Sequence, residues 1–291
     1  MNQPLQTFSF NGQIQPQHHA YFKQYGVLHF KQFISKNTVA VFLAEIRNIE
    51  QHLIARNITR VNGIPLKYGI GTDGKTIIQR IAFASAFSDT LRSFLNSEAL
   101  GALTALLTPY RGRIGENEKD GLVVNHYLNS GDSSFTRLGW HTDSPRDLFL
   151  GSRIKPMLNV GLHLDDCPYE NGGLRVLPGT HNQGLWTLFF KKKYFIDHTP
   201  DKKETGFSIT AGDLTIHDGR LWHRVQQSPF TGEKSRRRVM YIPVVTGAYH
   251  PKDANSATPF YHHLAGIRRS PLLFNRKEKQ PALPLLPELN G

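Results

Sequence analysis

The sequence predicts a mainly β fold, a sandwich or barrel of the jelly-roll kind carrying helices at its flank, and three observations lead there. From Gly121 onward, apolar residues come in short runs separated by Gly, Pro, Asn and Asp, the rhythm of strands and turns. Within that region residues 157–164 alternate, with Leu158, Val160, Leu162 and Leu164 on one face and Asn159, Gly161 and His163 on the other. The first third instead spaces its apolar residues by three and four, as helices do. Many short strands bury their apolar faces only by closing into two layers or a barrel.

The elements follow in order. Ser35 is an N-cap for a helix over about residues 37–57, with Val39, Phe42, Leu43, Ile46, Ile49, Leu53 and Ile54 along one stripe. A second helical stretch covers 86–107 and breaks near Asn96 and Ser97. Residues 122–127 form the first clear strand; others are expected at 157–164, 174–177, 207–210, 214–217 and 237–245. The longest interruption, 182–205, reads equally as a lid over a pocket or as a surface excursion. The expected organisation is a single domain over 1–291: an N-terminal helical flank (1–120), a core (121–245) holding that insertion, and a C-terminal tail (246–291).

Composition narrows the class. The 291 residues are 39% hydrophobic and 11% aromatic, enough for a substantial core and too much for a disordered chain. No window approaches 18 uninterrupted apolar residues and the first twelve lack a basic stretch followed by an apolar run, so neither membrane insertion nor secretion is expected. The single cysteine, Cys167, forms no intrachain disulfide, which fits a reducing compartment, the cytoplasm. A net charge of +12 suits anionic partners. Its densest runs are only Lys191–Lys193 and Arg236–Arg238, with no zinc-finger or RNA-recognition motif beside them, which favours a solvated basic surface over nucleic-acid binding.

The chemistry-bearing pattern is His-x-Asp followed far downstream by another His. Two imidazoles and one carboxylate on one face of a redox-active iron(II) leave positions for a cosubstrate and dioxygen. In His141-Thr142-Asp143 the period of two places both side chains on one side of an extended segment, and His223 supplies the distal ligand. With 14 histidines, however, His-x-Asp arises about once by chance, and here it occurs twice, the other copy being His163-Leu164-Asp165. Spacing alone does not separate the copies, and His217 competes with His223 for the distal position.

Context does separate them. The ordered series Gly139-Trp140-His141-Thr142-Asp143, Leu164-Asp165-Asp166, the run from Asn171-Gly172-Gly173-Leu174 to Leu177-Pro178-Gly179-Thr180-His181, Gly212-Asp213-Leu214 and Leu221-Trp222-His223 resembles the phytanoyl-CoA dioxygenase family of iron(II) and 2-oxoglutarate oxygenases. The resemblance covers about 121–245 and implies a double-stranded β-helix, a cupin-like jelly roll. It assigns His141, Asp143 and His223 to the metal and makes His163 a pocket residue. The implied reaction consumes 2-oxoglutarate and dioxygen, releases succinate and carbon dioxide, and hydroxylates a C–H bond of a small molecule. Related halogenases lack the carboxylate, so Asp143 argues for hydroxylation, with desaturation or ring closure as variants.

The resemblance also implies an arginine for the far carboxylate of 2-oxoglutarate, on the strand after the distal His. Arginine's planar fork suits that task. The strand register favours Arg237 over Arg236 and Arg238, a choice that a one-residue bulge would reverse. Asn125 matches a position where relatives place a polar contact to the cosubstrate. The chain departs from the pattern at Arg224-Val225-Gln226, where Val225 replaces a small hydroxyl-bearing residue, and in a longer loop over 224–235.

Three readings compete with this one: a non-catalytic jelly-roll protein binding a small molecule, an oxygenase acting on nucleic acid, and a zinc hydrolase, since two His and a carboxylate also hold zinc. The basic charge makes an anionic small molecule the expected substrate class. Substrate identity and oligomeric state are not legible.

Overall fold

The computed structural model describes residues 5–259 apart from 131, 132, 134 and 150–152. Residues 260–291, most of the expected C-terminal tail, lie outside it.

The alternation at 157–164 produces the central strand, Met157–His163. It pairs antiparallel with Leu214–Asp218 on one side and Arg237–Thr246 on the other. The larger sheet continues outward from these through Val27–Lys31 to Phe8–Ser9 at one edge, and through Val123–Tyr127 and Thr76–Ile81 to Lys67–Ile70 at the other. Its outer face carries Leu158, Val160, Leu162, Leu214, Ile216, Met240, Ile242 and Val244, all buried. The helix Lys36–Ala55 covers this face with Val39, Phe42, Ile46, Ile49 and Leu53. Ser35 caps that helix, its side chain accepting from the Thr38 amide at 3.1 Å. The second helical stretch breaks where expected, into Asp89–Leu95 and Glu98–Leu103, each capped by the serine before it.

A smaller sheet of Thr205–Gly206, Gly173–Val176, His223–Gln226 and Leu138–His141 lies against the inner face. The same strands that bury leucines outward turn Val27, His29, Asn159, Gly161, His163, Thr215 and His217 inward. At one end of the interior, Val27 packs with Leu174, Val176, Phe207 and Ile209 and joins the two layers. This is the jelly-roll arrangement with flanking helices.

Two expectations need correction. The first 120 residues are not only helical, because Val27–Lys31, Lys67–Ile70 and Thr76–Ile81 come from them and extend the larger sheet at both edges. Their pairing partners lie far away in sequence, Val27–Lys31 meeting Leu214–Asp218, and local spacing carries no trace of such contacts. Residues 207–210 form no strand. Ile209 makes a single bridge to Cys167, while Ser208 and Thr210 are held by side-chain bonds to Tyr169 and Asp213, and the ladder pairing falls at Thr205–Gly206.

The 182–205 stretch is neither a plain lid nor a free excursion. It packs on the outer face of the smaller sheet, where Trp140 and Trp222 donate to the Thr199 and Thr187 carbonyls and Arg224 forks onto Glu204 at 2.6 and 2.9 Å. Among the described residues no helix is long and apolar enough to cross a membrane.

Candidate metal centre and adjoining cavity

Antiparallel pairing sets His141 directly opposite His223 in the smaller sheet. Each imidazole donates its Nδ1–H to a backbone carbonyl two residues earlier, His141 to Gly139 at 2.8 Å and His223 to Leu221 at 2.9 Å. A carbonyl only accepts, so both rings carry the proton on Nδ1 and keep a lone pair on Nε2. The two Nε2 atoms face Asp143, His141 at 4.0 Å from Oδ1 and His223 at 3.9 Å from Oδ2. The donor atoms of His141, Asp143 and His223 all lie within 4.8 Å of one another, the one such group among the described residues.

The carboxylate is held in place by the larger sheet. Asn159 Nδ2 donates to Asp143 Oδ2 at 2.9 Å, and His217 Nε2 donates to the same oxygen at 3.2 Å. These bonds hold Oδ2 and leave Oδ1 on the side of His141, the outer support that metal-binding carboxylates need. They also place a proton on His217 Nε2, which makes it a support of Asp143 rather than a competitor of His223. Asn159 is the residue that reasoning from sequence passed over, although the alternating strand had set it on the interior face.

Electrostatics agree with an electron-donating site. Burial works to raise the Asp143 carboxyl, but the rings of His223, His217 and His141 outweigh it and hold the group well below the usual carboxylate range. Burial, then the neighbouring His141 and His217, hold the His223 imidazole well below the usual histidine range, so its Nε2 stays unprotonated at neutral pH. Two further anchors fix the Asp143 segment. The amides of Asp143 and Ser144 both donate to the Gly219 carbonyl at 2.8 Å, and a Cβ on Gly219 would sit 2.6 Å from Ser144 Oγ. Just beyond, Asp147 pairs with Lys119 at 2.6 Å, both side chains fully buried. Removing one member of such a pair costs about 3–5 kcal/mol, because the other is left as an uncompensated charge.

The second His-x-Asp copy is not assembled into a cluster. His163 Nε2 bonds Thr215 Oγ1 at 3.0 Å, and burial pushes its imidazole down to about 3, so it stays neutral. Asp165 is taken by Arg238, at 2.6 and 2.9 Å.

A cavity between the sheets is lined by Tyr127, His163, Cys167, Val225, Arg237 and Tyr241, among others. The three consecutive arginines separate by face. Arg236 pairs with Glu233 at the surface and Arg238 with Asp165, whereas Arg237 points inward, 4% exposed, with no carboxylate partner among the described residues. Among the described residues its guanidinium donates to the carbonyls of Ser235, Gln226 and Thr136, and the Cys167 thiol lies beside it. Burial pulls it below its ordinary value, as expected of a cation short of a counter-charge. Asn125, also on the inner face, donates to the Tyr127 hydroxyl at 3.1 Å and leaves its own Oδ1 buried without a partner.

From the 182–205 stretch one residue reaches the cluster. Phe195 stacks on His141, ring centroids 4.8 Å apart, from a left-handed backbone conformation with φ of +61°. Its amide donates to the Trp140 carbonyl, and a Cβ on Gly139 would lie 2.6 Å from the Phe195 oxygen, so a glycine is required there.

Comparisons with known proteins bear on the fold and the family. Among solved structures, the epimerase SnoN from nogalamycin biosynthesis, described as non-heme and alpha-ketoglutarate dependent, superposes with a TM-score of 0.57 at 21% identity, covering 83% of this chain and 90% of that one. The carbocyclase SnoK of the same biosynthesis gives 0.59 at 14% identity, covering 89% and 93%. HygX from Streptomyces hygroscopicus, solved with nickel and 2-oxoglutarate bound, gives 0.57 at 13% identity, covering 82% and 89%. At these identities the likeness establishes the fold. No curated protein matches the chain. The family model of phytanoyl-CoA dioxygenase (PhyH) matches residues 22–237, three quarters of the sequence and every residue of the cluster and cavity except Arg238, Val239 and Tyr241. The chain belongs to the phytanoyl-CoA dioxygenase family.

Proposed function

We propose that the chain is an iron(II) oxygenase dependent on 2-oxoglutarate that hydroxylates a C–H bond of a small molecule. His141, Asp143 and His223 would hold the iron, Arg237 would pair with the far carboxylate of 2-oxoglutarate, and the Asn125 amide would contact it. The observation that carries this reading is the combination of a convergent two-His, one-carboxylate donor set with a buried, carboxylate-free arginine in the same interior. The donor set alone would suit zinc as well. The arginine favours an anionic cosubstrate.

The spacing supports the same assignment. Arg237 donates to the Gln226 carbonyl, and Gln226 is three residues along a strand from His223, about 10 Å at the usual strand rise. A five-carbon dicarboxylate, roughly 5 Å from end to end, spans such a gap once a coordination bond and a hydrogen bond are added. When bound, iron and 2-oxoglutarate supply the oxidising chemistry, with dioxygen consumed and succinate and carbon dioxide released. The chain's own residues do the rest: Asn159 and His217 orient Asp143, the two backbone carbonyls fix the imidazole tautomers, and the packed interior restricts water.

The substrate would be a small molecule. SnoN has been solved with Fe3+, alpha ketoglutarate and nogalamycin RO, and this fold also carries epimerisation and ring closure. Hydroxylation is the outcome proposed here because Asp143 completes the ligand set and leaves no ligand position for a halide. The test is succinate release from 2-oxoglutarate, measured with each component left out. Release that requires both iron(II) and 2-oxoglutarate and disappears with zinc is expected; metal-dependent hydrolysis without 2-oxoglutarate consumption would refute the proposal.

A further inference from the structure

A carboxylate buried between two sheets needs more donors than Arg237 has left. An ionised carboxylate offers about four lone-pair sites, and a guanidinium carries five N–H groups. Arg237 already commits Nε to Ser235, one Nη1 hydrogen to Gln226 and one Nη2 hydrogen to Thr136. At most two N–H groups remain, with the Cys167 thiol beside them, enough for one fork and no more. Burying a charge with unfilled acceptor sites is costly, so other donors in the cavity matter.

Candidates are few. Val225, Leu174, Phe207, Ile209, Val239 and the glycines of the wall donate nothing from a side chain, Cys167 offers only a weak S–H donor, and Arg238 is already paired with Asp165. His163 is already bonded to Thr215. The hydroxyl groups lining the cavity belong to Tyr127 and Tyr241. Tyr127 is 1% exposed and its oxygen is held by the Asn125 amide, although its own O–H is still available to donate. Tyr241 is the more accessible of the two: it lies on the inner face of Arg237–Thr246 opposite Gly161, is only partly buried, and makes no hydrogen bond through its hydroxyl among the described residues. The ring is seated by its neighbour, since a Cβ on Gly161 would stand only 3.1 Å from it.

Position along the strand completes the case. Tyr241 is four residues from Arg237 and on the same face, and two residues from Pro243, which stands opposite the Asn159 that supports Asp143. Along the strand Tyr241 therefore stands between the arginine and the position facing Asn159. Burial, then Tyr127 and Asp143, push it well above its usual value, so it keeps its proton and is a donor at any working pH.

We infer that the Tyr241 hydroxyl is a second binding group for the far carboxylate of 2-oxoglutarate, acting with Arg237 and supplying the hydroxyl contact that Val225 lacks. This rests on the proposed function and adds to it a residue that lies outside the matched family region.

The experiment compares wild type, Tyr241→Phe and Arg237→Ala, each loaded with iron(II) without oxygen, by calorimetric titration with two ligands. One is 2-oxoglutarate; the other is 2-oxobutyrate, which keeps the chelating 2-oxo acid end and has no far carboxylate. Tyr241→Phe keeps the ring over Gly161, so the fold and iron binding are retained. Losing one hydrogen bond to a charged group is expected to weaken 2-oxoglutarate binding about 10- to 100-fold and to leave 2-oxobutyrate unchanged. Equal affinity of Tyr241→Phe and wild type for 2-oxoglutarate, with Arg237→Ala still impaired, overturns the role of Tyr241 alone. Equal weakening of both ligands overturns it too, because a structural role of the ring would do that. Failure of wild type to bind either 2-oxo acid overturns the proposed function together with this inference.

Discussion

Replacing His141 or His223 by alanine is expected to abolish iron(II) binding, while His163→Ala retains it. Both ligand candidates keep a bare Nε2 aimed at Asp143 because their Nδ1 protons are spent on the Gly139 and Leu221 carbonyls. His163 has no such freedom, since its Nε2 is bonded to Thr215 and its would-be partner Asp165 is clasped by Arg238. Substituting an outer-shell support of a metal typically costs 10- to 100-fold in affinity. His217→Ala and Asn159→Ala should therefore fall in roughly that range, and loss of a ligand should exceed it. Equilibrium dialysis with iron(II) distinguishes these classes. Retained binding in His141→Ala with loss in His163→Ala would move the site to the second His-x-Asp copy.

The second large effect is expected at Arg237. With alanine there, the cation left in the cavity lining is Arg238, already paired with Asp165, and an uncompensated buried charge costs about 3–5 kcal/mol. The concentration of 2-oxoglutarate needed for half-maximal turnover should rise at least about 100-fold. Arg236→Ala removes only a surface pair with Glu233 and should leave that requirement near the wild-type value. Arg238→Ala should lower stability, because Asp165 then loses both side-chain bonds, with a smaller change in the 2-oxoglutarate requirement. A dominant effect at Arg236 would mean that the interior face of the strand is misassigned.

The parts of this arrangement that could be read from sequence are those whose determinants are local. The alternation of Leu158, Val160 and Leu162 against Asn159, Gly161 and His163 places one set on the helices and the other in the interior, because side chains on a strand alternate. Ser35 and the serines before Asp89 and Glu98 mark helix starts by the same local logic. Choosing between the two His-x-Asp copies already required the order of motifs along the chain, since both have the same spacing.

What stayed hidden depends on contacts between distant segments. The Val27–Lys31 strand gains its role only by pairing with Leu214–Asp218, and the site needs Asn159 and His217 from one sheet to meet Asp143 from the other. Phe195 on His141 was equally invisible: an aromatic residue in a polar stretch gives no sign that the chain returns along Leu138–His141. The inward turn of Arg237 was legible as a register argument, yet its lack of a carboxylate partner emerged only once Glu233 and Asp165 were seen to be occupied by its neighbours.

The most direct test of the central claim is titration of the iron(II)-loaded protein with 2-oxoglutarate in the absence of oxygen, followed by visible absorption. A weak metal-to-ligand charge-transfer band that saturates with 2-oxoglutarate, and is absent in His223→Ala, is the expected result. Bound iron with no such band at saturating 2-oxoglutarate would contradict the account and favour a metal hydrolase or a binding protein built on the same fold.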